Sequence, residues 1–225
     1  MSTLVNKKKL VKTTTYLFVA CSVLAGLSYF FWDQDLALFF RREDNTHIWL
    51  MAREITNIGL GQHYFIFVFL GLIYFYLIAP RLKFLSLSSE KIFWYKAWMW
   101  NFFACLMTAG FFLRVSKFLF GRQRPNNSLD SNPENFQFFN HHWDFQSFPS
   151  GHSQVLFTVA TMLCVLDPKR WYLWYLIAFL FSFTRVMTYS HFLSDVIGGA
   201  FIGIAGSFLG LYLMNRYSRF KVYNS

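Results

Sequence analysis

The chain has 225 residues, of which 55% are hydrophobic, 22% are aromatic and only 14% are charged. A soluble domain of this length needs a larger polar surface, so the composition favours an integral membrane protein. The net charge of +10 does not indicate nucleic-acid binding, because the basic residues form no long stripe interleaved with aromatic ones.

Six apolar stretches predict six transmembrane helices, which in chain order are residues 13–32, 62–79, 92–113, 153–166, 171–184 and 192–214. Backbone polar groups must be paired inside lipid, so these segments are predicted to be helices and not open strands. The fourth and fifth stretches are short for a crossing of roughly twenty residues, and we expect them to extend into their flanks. The predicted fold class is all-α, with one membrane bundle domain over residues 1–225.

Two further segments have a composition of their own. Residues 33–61 mix charged and apolar side chains, which predicts a short interfacial helix. The last stretch contains Gly199-x3-Gly203 and Gly206-x3-Gly210, a spacing that lets helices approach closely. We favour packing within the bundle over a dimer face for these glycines.

The positive charges predict the orientation. Six crossings put both termini on one side, where 13 Lys and Arg residues fall, against 8 on the other side. Cytoplasmic loops carry the Lys/Arg excess, so both termini are predicted to be cytoplasmic. Loops 114–152 and 185–195 then face the periplasm or the exterior, and a bacterial inner membrane is the expected location.

The third apolar stretch is followed by Lys117-x6-Arg124-Pro125. Gly121 and Pro125 are expected to end the helix and leave a bent loop. An Arg side chain can donate two parallel hydrogen bonds to phosphate oxygens, while a Lys acts as a point charge. Both cations lie on the side that is otherwise short of positive charge, which favours an anion site over a membrane-surface anchor.

Pro149-Ser150-Gly151-His152 begins the fourth stretch. Ser150 is a favourable N-cap residue, and Gly151 permits a ligand to approach the backbone closely. The free amides and the dipole of a helix start bind anions. His152 in the first turn would lie beside a bound anion, which favours the protonated form that a general acid requires.

The end of the fifth stretch and the start of the sixth hold Arg185, His191 and Asp195. The four-residue spacing of His191 and Asp195 predicts that both lie on one helical face. Asp195 would then accept a hydrogen bond from one imidazole nitrogen and leave the other free as a nucleophile. The three fragments together indicate phosphoryl transfer at a membrane surface.

Lys-x6-Arg-Pro, Pro-Ser-Gly-His and Arg-x5-His-x3-Asp, in this order, resemble the type 2 phosphatidic acid phosphatase (PAP2) superfamily, which includes bacterial lipid phosphatases. The resemblance is direct over residues 117–195 and loose elsewhere, and Thr184 stands where the family pattern has Ser. It implies a phosphatase that needs no metal or cofactor and forms a phosphohistidine.

The resemblance also implies a role for each matching residue. His191 would attack phosphorus, Asp195 would orient it and His152 would protonate the leaving oxygen. The phosphoryl oxygens would be held by Lys117, Arg124, Ser150, Gly151 and Arg185.

Several alternatives stay open at this point. A lipid phosphotransferase would use the same residues, whereas a vanadate haloperoxidase shares the anion site but is normally soluble. A transporter would place ionisable residues at mid-span, while this cluster lies at the helix ends. The expected partners are the bilayer and a membrane lipid phosphate, which could be phosphatidate, phosphatidylglycerol phosphate, polyprenyl pyrophosphate or a lipid A phosphate. The oligomeric state is left open.

Overall fold

The computed structural model describes residues 7–41, 46–81, 88–128 and 131–222. Its α-helices are α1 (Lys7–Phe31), α2 (Asp33–Arg41), α3 (Thr46–Thr56), α4 (Gly61–Ile73), α5 (Ser89–Phe120), α6 (Gly151–Leu166), α7 (Trp171–Met187) and α8 (Leu193–Tyr217). Within those ranges no strand forms, and one isolated bridge joins Arg122 to Phe136. The prediction of an all-α fold is confirmed.

Each of the six predicted spans coincides with a helix. Four helices of the described chain are long and apolar enough to cross a membrane: Lys7–Phe31, His47–Arg81, Ser89–Phe120 and Leu193–Tyr217. The second of these combines α3, α4 and the π-helical and 3₁₀ turns up to Arg81. The remaining two, α6 and α7, have 16 and 17 residues. The protein is an integral membrane protein, and the count of six crossings stays a prediction.

The orientation drawn from the charges also stays a prediction. Arg42 and Lys83, which contribute to the charge split, lie outside the described residues.

The segment 33–61, in which one short interfacial helix is predicted, forms two helices, α2 and α3, and an interfacial position for either stays a prediction. Asp33 and Asp35 in the first turn of α2 and Arg41 in its last turn complement the helix dipole, so α2 is a helix in its own right. Residues 42–45, between the two helices, lie outside the described part of the chain. A 3₁₀ turn, Asn57–Gly59, then leads from α3 towards α4.

Helix α8 lies at the centre of the bundle and packs against α1, α5, α6 and α7. Its glycines make this contact possible. A Cβ atom on Gly199 or Gly203 would lie 2.4 or 2.5 Å from a backbone oxygen of α6, and one on Gly206 would lie 2.5 Å from Ala109 of α5. The glycines therefore serve packing within the chain, which brings the starts of α6 and α8 together.

Candidate active site

The starts of α6 and α8 are joined by hydrogen bonds at one end of the bundle. The backbone N–H of Ser150 donates to the carbonyl oxygen of Asp195 at 2.9 Å. The hydroxyl of Ser153 donates to the carbonyl oxygen of Val196 at 2.6 Å. The Pro-Ser-Gly-His fragment and the His/Asp fragment are thus direct neighbours.

The loop after α5 folds back on itself and fixes two arginines. Gly121 ends α5 in the left-handed conformation at φ 52°, and a Cβ atom there would come within 1.7 Å of the carbonyl oxygen of Gln137. The predicted helix end at Gly121 is confirmed. Backbone hydrogen bonds from Gln137 to Gly121 and from Ser147 to Arg122 close the loop. Arg122 and Arg124 are therefore held on a rigid segment.

Three predicted cations are largely buried at this end of the bundle. The Lys117 ammonium donates to the carbonyl oxygen of Gln146. The guanidinium of Arg124 lies 4.1 Å from the ring centroid of Trp143. Arg185, in the last turn of α7, reaches the hydroxyl of Thr56 at 3.4 Å, while its Nε is buried and bonds to no described residue. A buried donor without a partner is costly, so the Nε of Arg185 is available to an acceptor in the adjoining cavity.

The start of α6 has the predicted cap. The Ser150 side chain is fully buried and accepts a hydrogen bond from the backbone N–H of Ser153 at 3.5 Å. A Cβ atom on Gly151 would meet only the Leu113 side chain, at 3.5 Å, which is an ordinary contact. Protein neighbours therefore do not explain a glycine at this position.

His152 lies in the first turn of α6 and is pressed against the 3₁₀ turn that precedes α4. A Cβ atom on Gly59 would lie 2.8 Å from Cδ2 of His152. His152 and Arg185 both line a cavity of about 530 Å³. Trp49 and Arg53 of α3 border the same cavity.

His191 and Asp195 meet, but not for the predicted reason. His191 precedes the first residue of α8 by two positions, so the expectation that both lie on one helical face is wrong. Their side chains still approach, with Nδ1 of His191 3.4 Å from Oδ2 of Asp195. The turn before α8 brings them together, and this geometry directs Nε2 away from the carboxylate.

Asp195 is saturated with hydrogen-bond donors. Its Oδ2 accepts from the hydroxyl of Ser147 at 2.5 Å and from the backbone N–H of Phe192 at 2.9 Å. The Ser147 hydroxyl is also 3.4 Å from Nδ1 of His191. Sequence reasoning missed Ser147, because a lone serine in a polar loop gives no signal.

Electrostatics ties the predicted residues into one cluster. Burial lowers the pKa of His191 well below its usual range, and the charges of Arg124, Lys117, Arg185 and His152 lower it further. His191 is therefore neutral at neutral pH, as a nucleophile must be. Hydrogen bonds of Ser147 with Arg122 and Asp195, and of Ser150 with Asp195, link the three fragments directly.

Sequence reasoning also missed a second buried cluster behind Asp195. Arg122 is 1% exposed, and its guanidinium contacts Asp33, Ser194 and Asp195. A buried aspartate at a helix end requires a partner, and this rule was the one available signal. The partner lies 73 residues away along the chain.

The family model of the PAP2 superfamily matches residues 98–219. Lipid A 1-phosphatases of Rhizobium etli and Rhizobium johnstonii are each 32% identical to this chain over 110 residues, which is 48% of this chain. The matched region covers 47% and 45% of those two proteins, so this chain spans about half the length of these relatives.

Two solved structures show the same fold. The crystal structure of Aquifex aeolicus LpxE has a TM-score of 0.55 and 22% identity, and covers 80% of this chain and 94% of that one. The PAP2 type phosphatidylglycerolphosphate phosphatase of Bacillus subtilis has a TM-score of 0.51 and 18% identity, and covers 92% of this chain and 98% of that one.

Proposed function

The chain belongs to the PAP2 superfamily, and from this premise we propose that it is a membrane phosphatase that hydrolyses lipid-linked phosphates through a phosphohistidine. One observation carries the proposal. A buried, neutral imidazole has one nitrogen beside a carboxylate, and the charges of the buried Lys117 and Arg124 and of the partly exposed Arg185 act on it. This arrangement supplies both a nucleophile and the charge that a transferring phosphoryl group requires.

The phosphate would be bound by the cations and by the start of α6. Arg124 and Arg185 donate to its oxygens, with the free Nε of Arg185 among the donors. Lys117 adds a third charge, and the first backbone amides of α6, beside Ser150 and Gly151, complete the cradle. Three positive charges offset the phosphate charge, which is why we expect no metal ion to be needed.

In the first step, Nε2 of His191 attacks phosphorus. The bond between phosphorus and the lipid oxygen breaks, and that oxygen takes a proton from the imidazolium of His152. Asp195, beside Nδ1, orients the attacking ring and stabilises the positive charge that develops on it. Burial and the charges of Arg185, Arg124 and Lys117 lower the pKa of His152, so the negative charge of the bound phosphate has to raise it again for the imidazolium to form.

In the second step, water replaces the lipid alcohol. Neutral His152 accepts a proton from the water, whose oxygen attacks phosphorus while the bond from phosphorus to Nε2 breaks. Inorganic phosphate leaves, and His191 returns to its neutral form. A lipid hydroxyl in place of this water would make the protein a phosphotransferase.

A lipid substrate is supported by the cavities beside the site. The cavity of about 530 Å³ next to His152 is wide enough for a head group and is bordered by Trp49 and Arg53. An apolar cavity of about 980 Å³ lies between α4, α5 and α6 and begins at Ile58, next to Gly59. It suits an acyl or prenyl chain, so we propose a lipid A type phosphate or a phospholipid phosphate as the substrate class.

The test measures phosphate release by purified protein in mixed micelles containing EDTA. The substrates are lipid A, phosphatidylglycerol phosphate, phosphatidate and polyprenyl pyrophosphate, each compared with glycerol 3-phosphate at fixed surface concentration. We expect a far higher kcat/KM for at least one lipid than for glycerol 3-phosphate, and no release by His191→Ala.

Different outcomes of this assay would refute the lipid substrate, the phosphohistidine and the metal-free chemistry. Equal hydrolysis of glycerol 3-phosphate would refute the lipid substrate, and release by His191→Ala at the wild-type rate would refute the phosphohistidine. Loss of activity in EDTA that Mg²⁺ restores would refute the metal-free chemistry. Recovery of the phosphate on a second lipid would favour the phosphotransferase.

A further inference from the structure

We propose that Arg122 and Asp33 are positioning residues for the phosphatase reaction, holding Asp195 and, through it, His191 in the geometry of attack. The inference rests on the proposed function. Asp33 lies outside the Lys-x6-Arg-Pro, Pro-Ser-Gly-His and Arg-x5-His-x3-Asp fragments, and Arg122 occupies one of the six unspecified positions of the first.

The guanidinium of Arg122 is fixed by four hydrogen bonds. Its Nη1 donates to Oδ1 of Asp195 at 2.6 Å and to the hydroxyl of Ser194 at 2.7 Å. Its Nη2 donates to Oδ2 of Asp33 at 2.9 Å, and its Nε donates to the carbonyl oxygen of Pro133 at 3.0 Å. Because Nε, Nη1 and Nη2 all donate hydrogen bonds, the guanidinium group is held in a single orientation.

Asp33 accepts a hydrogen bond from Arg122 and is itself fixed by further hydrogen bonds. Its Oδ1 accepts from the backbone N–H of Ser194 at 3.0 Å and from the hydroxyl of Ser28 at 2.8 Å. The hydroxyl of Ser194 donates to Oδ2 of Asp33. The carboxylate of Asp33 therefore binds Ser194, the residue directly before Asp195, through both the backbone and the side chain of Ser194.

The two carboxylate oxygens of Asp195 have different hydrogen-bond partners. Arg122 binds Oδ1, which leaves Oδ2 to Ser147, the Phe192 amide and His191. Without Arg122, Oδ1 loses its charged partner, and only the hydrogen bonds of Ser147 and of the Phe192 amide to Oδ2 hold the carboxylate beside Nδ1 of His191. The alignment of the nucleophile thus depends on a residue that does not touch it.

Charge and burial make the arrangement sensitive to change. Asp33 and Asp195 flank Arg122, and all three side chains are at most 2% exposed. Removing one member of a buried charged set leaves the others without a partner. The guanidinium also lies 4.2 Å from the ring centroid of Phe192, the residue next to His191.

Positioning predicts a specific kinetic pattern. The hydrogen bonds of Arg122 go to Asp33, Pro133, Ser194 and Asp195, and none goes to Lys117, Arg124, Ser150 or Arg185 within the described residues. Loss of Arg122 should therefore lower kcat and leave phosphate binding unchanged. A displacement of about 1 Å at a nucleophile costs roughly 10²-fold in rate.

The experiment compares Arg122→Gln and Asp33→Asn with the wild type on a lipid phosphate. We expect kcat to fall roughly 10²-fold for Arg122→Gln and to fall for Asp33→Asn, with KM and the inhibition constant of inorganic phosphate unchanged. In the Asp195→Asn background the same substitutions should add almost nothing, because they act through Asp195.

The matched control is Thr108→Val. Its hydroxyl donates to the carbonyl oxygen of Gly206 at 2.7 Å and joins α5 to α8 away from the site. It should lower the Tm and leave kcat unchanged, which separates loss of stability from loss of alignment. If Arg122→Gln does not fold, Arg122→Lys and Asp33→Asn are judged by the same criteria.

Three results would overturn the inference while the wild type remains active. They are an unchanged kcat in both variants, a parallel weakening of inhibition by inorganic phosphate, and full additivity with Asp195→Asn. If the wild type itself releases no phosphate from any lipid, the proposed function fails instead, and the two failures are distinguishable.

Discussion

A single methyl group added at Gly59 should disable the proposed general acid without touching the phosphate cradle. The 3₁₀ turn Asn57–Gly59 lies directly on His152. The backbone at Gly59 is not left-handed, so Gly59→Ala is compatible with the turn itself. The new Cβ atom would lie 2.8 Å from Cδ2 and 2.9 Å from Cβ of His152.

The size of the effect follows from these distances. Carbon atoms pack favourably at about 3.5–4.0 Å, so the imidazole or the turn must move by more than half an ångström. A displacement of about 1 Å at a catalytic group costs roughly 10²-fold, and we expect kcat to fall about 10- to 100-fold. An activated aryl phosphate needs little help from an acid and should lose much less.

The assay compares Gly59→Ala with Gly61→Ala on a lipid phosphate and on an aryl phosphate. Gly61 lies two residues along the same segment, and a Cβ atom there would meet Val155 Cγ2 at 3.3 Å, a side-chain contact that does not involve His152. We expect Gly61→Ala to resemble the wild type. Equal losses in the two variants, or equal losses on the two substrates, would refute the reasoning.

Three further predictions concern charge, acid catalysis and topology. Arg124→Gln removes a charge that lowers the pKa of His191, so this pKa should rise. The acidic limb of the kcat/KM profile, where His191 becomes protonated and inactive, should then move to higher pH. An acidic limb at the wild-type pH would contradict the prediction. His152→Ala should lose least activity on an aryl phosphate, and equal losses on all substrates would remove it from the acid role. A membrane-impermeant thiol reagent on intact cells should label Asn127→Cys and not Lys169→Cys, and the reverse pattern would invert the orientation.

The helices were predictable because length and apolarity are local properties. Residues 92–113 are apolar, and α5 extends this stretch by capping: Ser88 begins it and Gly121 ends it. The segment 33–61 was harder, because α2 packs against α7 and α8 and α3 packs against α7, contacts that its own sequence does not reveal.

The candidate site was predictable where it lies at helix ends. Lys117, His152 and Arg185 were found because a cation or a histidine stands out next to an apolar run. His191 and Asp195 were paired on a helical spacing that the structure does not use, since α8 begins at Leu193.

The support behind the site was not predictable. Asp33 and Arg122 are 89 residues apart, and Asp33 and Ser194 are 161 residues apart. A contact between residues so distant leaves no local pattern in one sequence. Only the general need of a buried aspartate for a partner indicated that such a cluster should exist.

The contact between Asp33 and Ser194 has a consequence for biogenesis. Asp33 follows α1 in the chain, whereas Ser194 lies in the first turn of α8, so α1 is synthesised long before the residue that Asp33 contacts. A nascent chain without α8 lacks the partner of Asp33 and the His191–Asp195 pair. In the proposed mechanism such a chain has no nucleophile, so we expect it to leave the lipids around it intact until α8 is inserted.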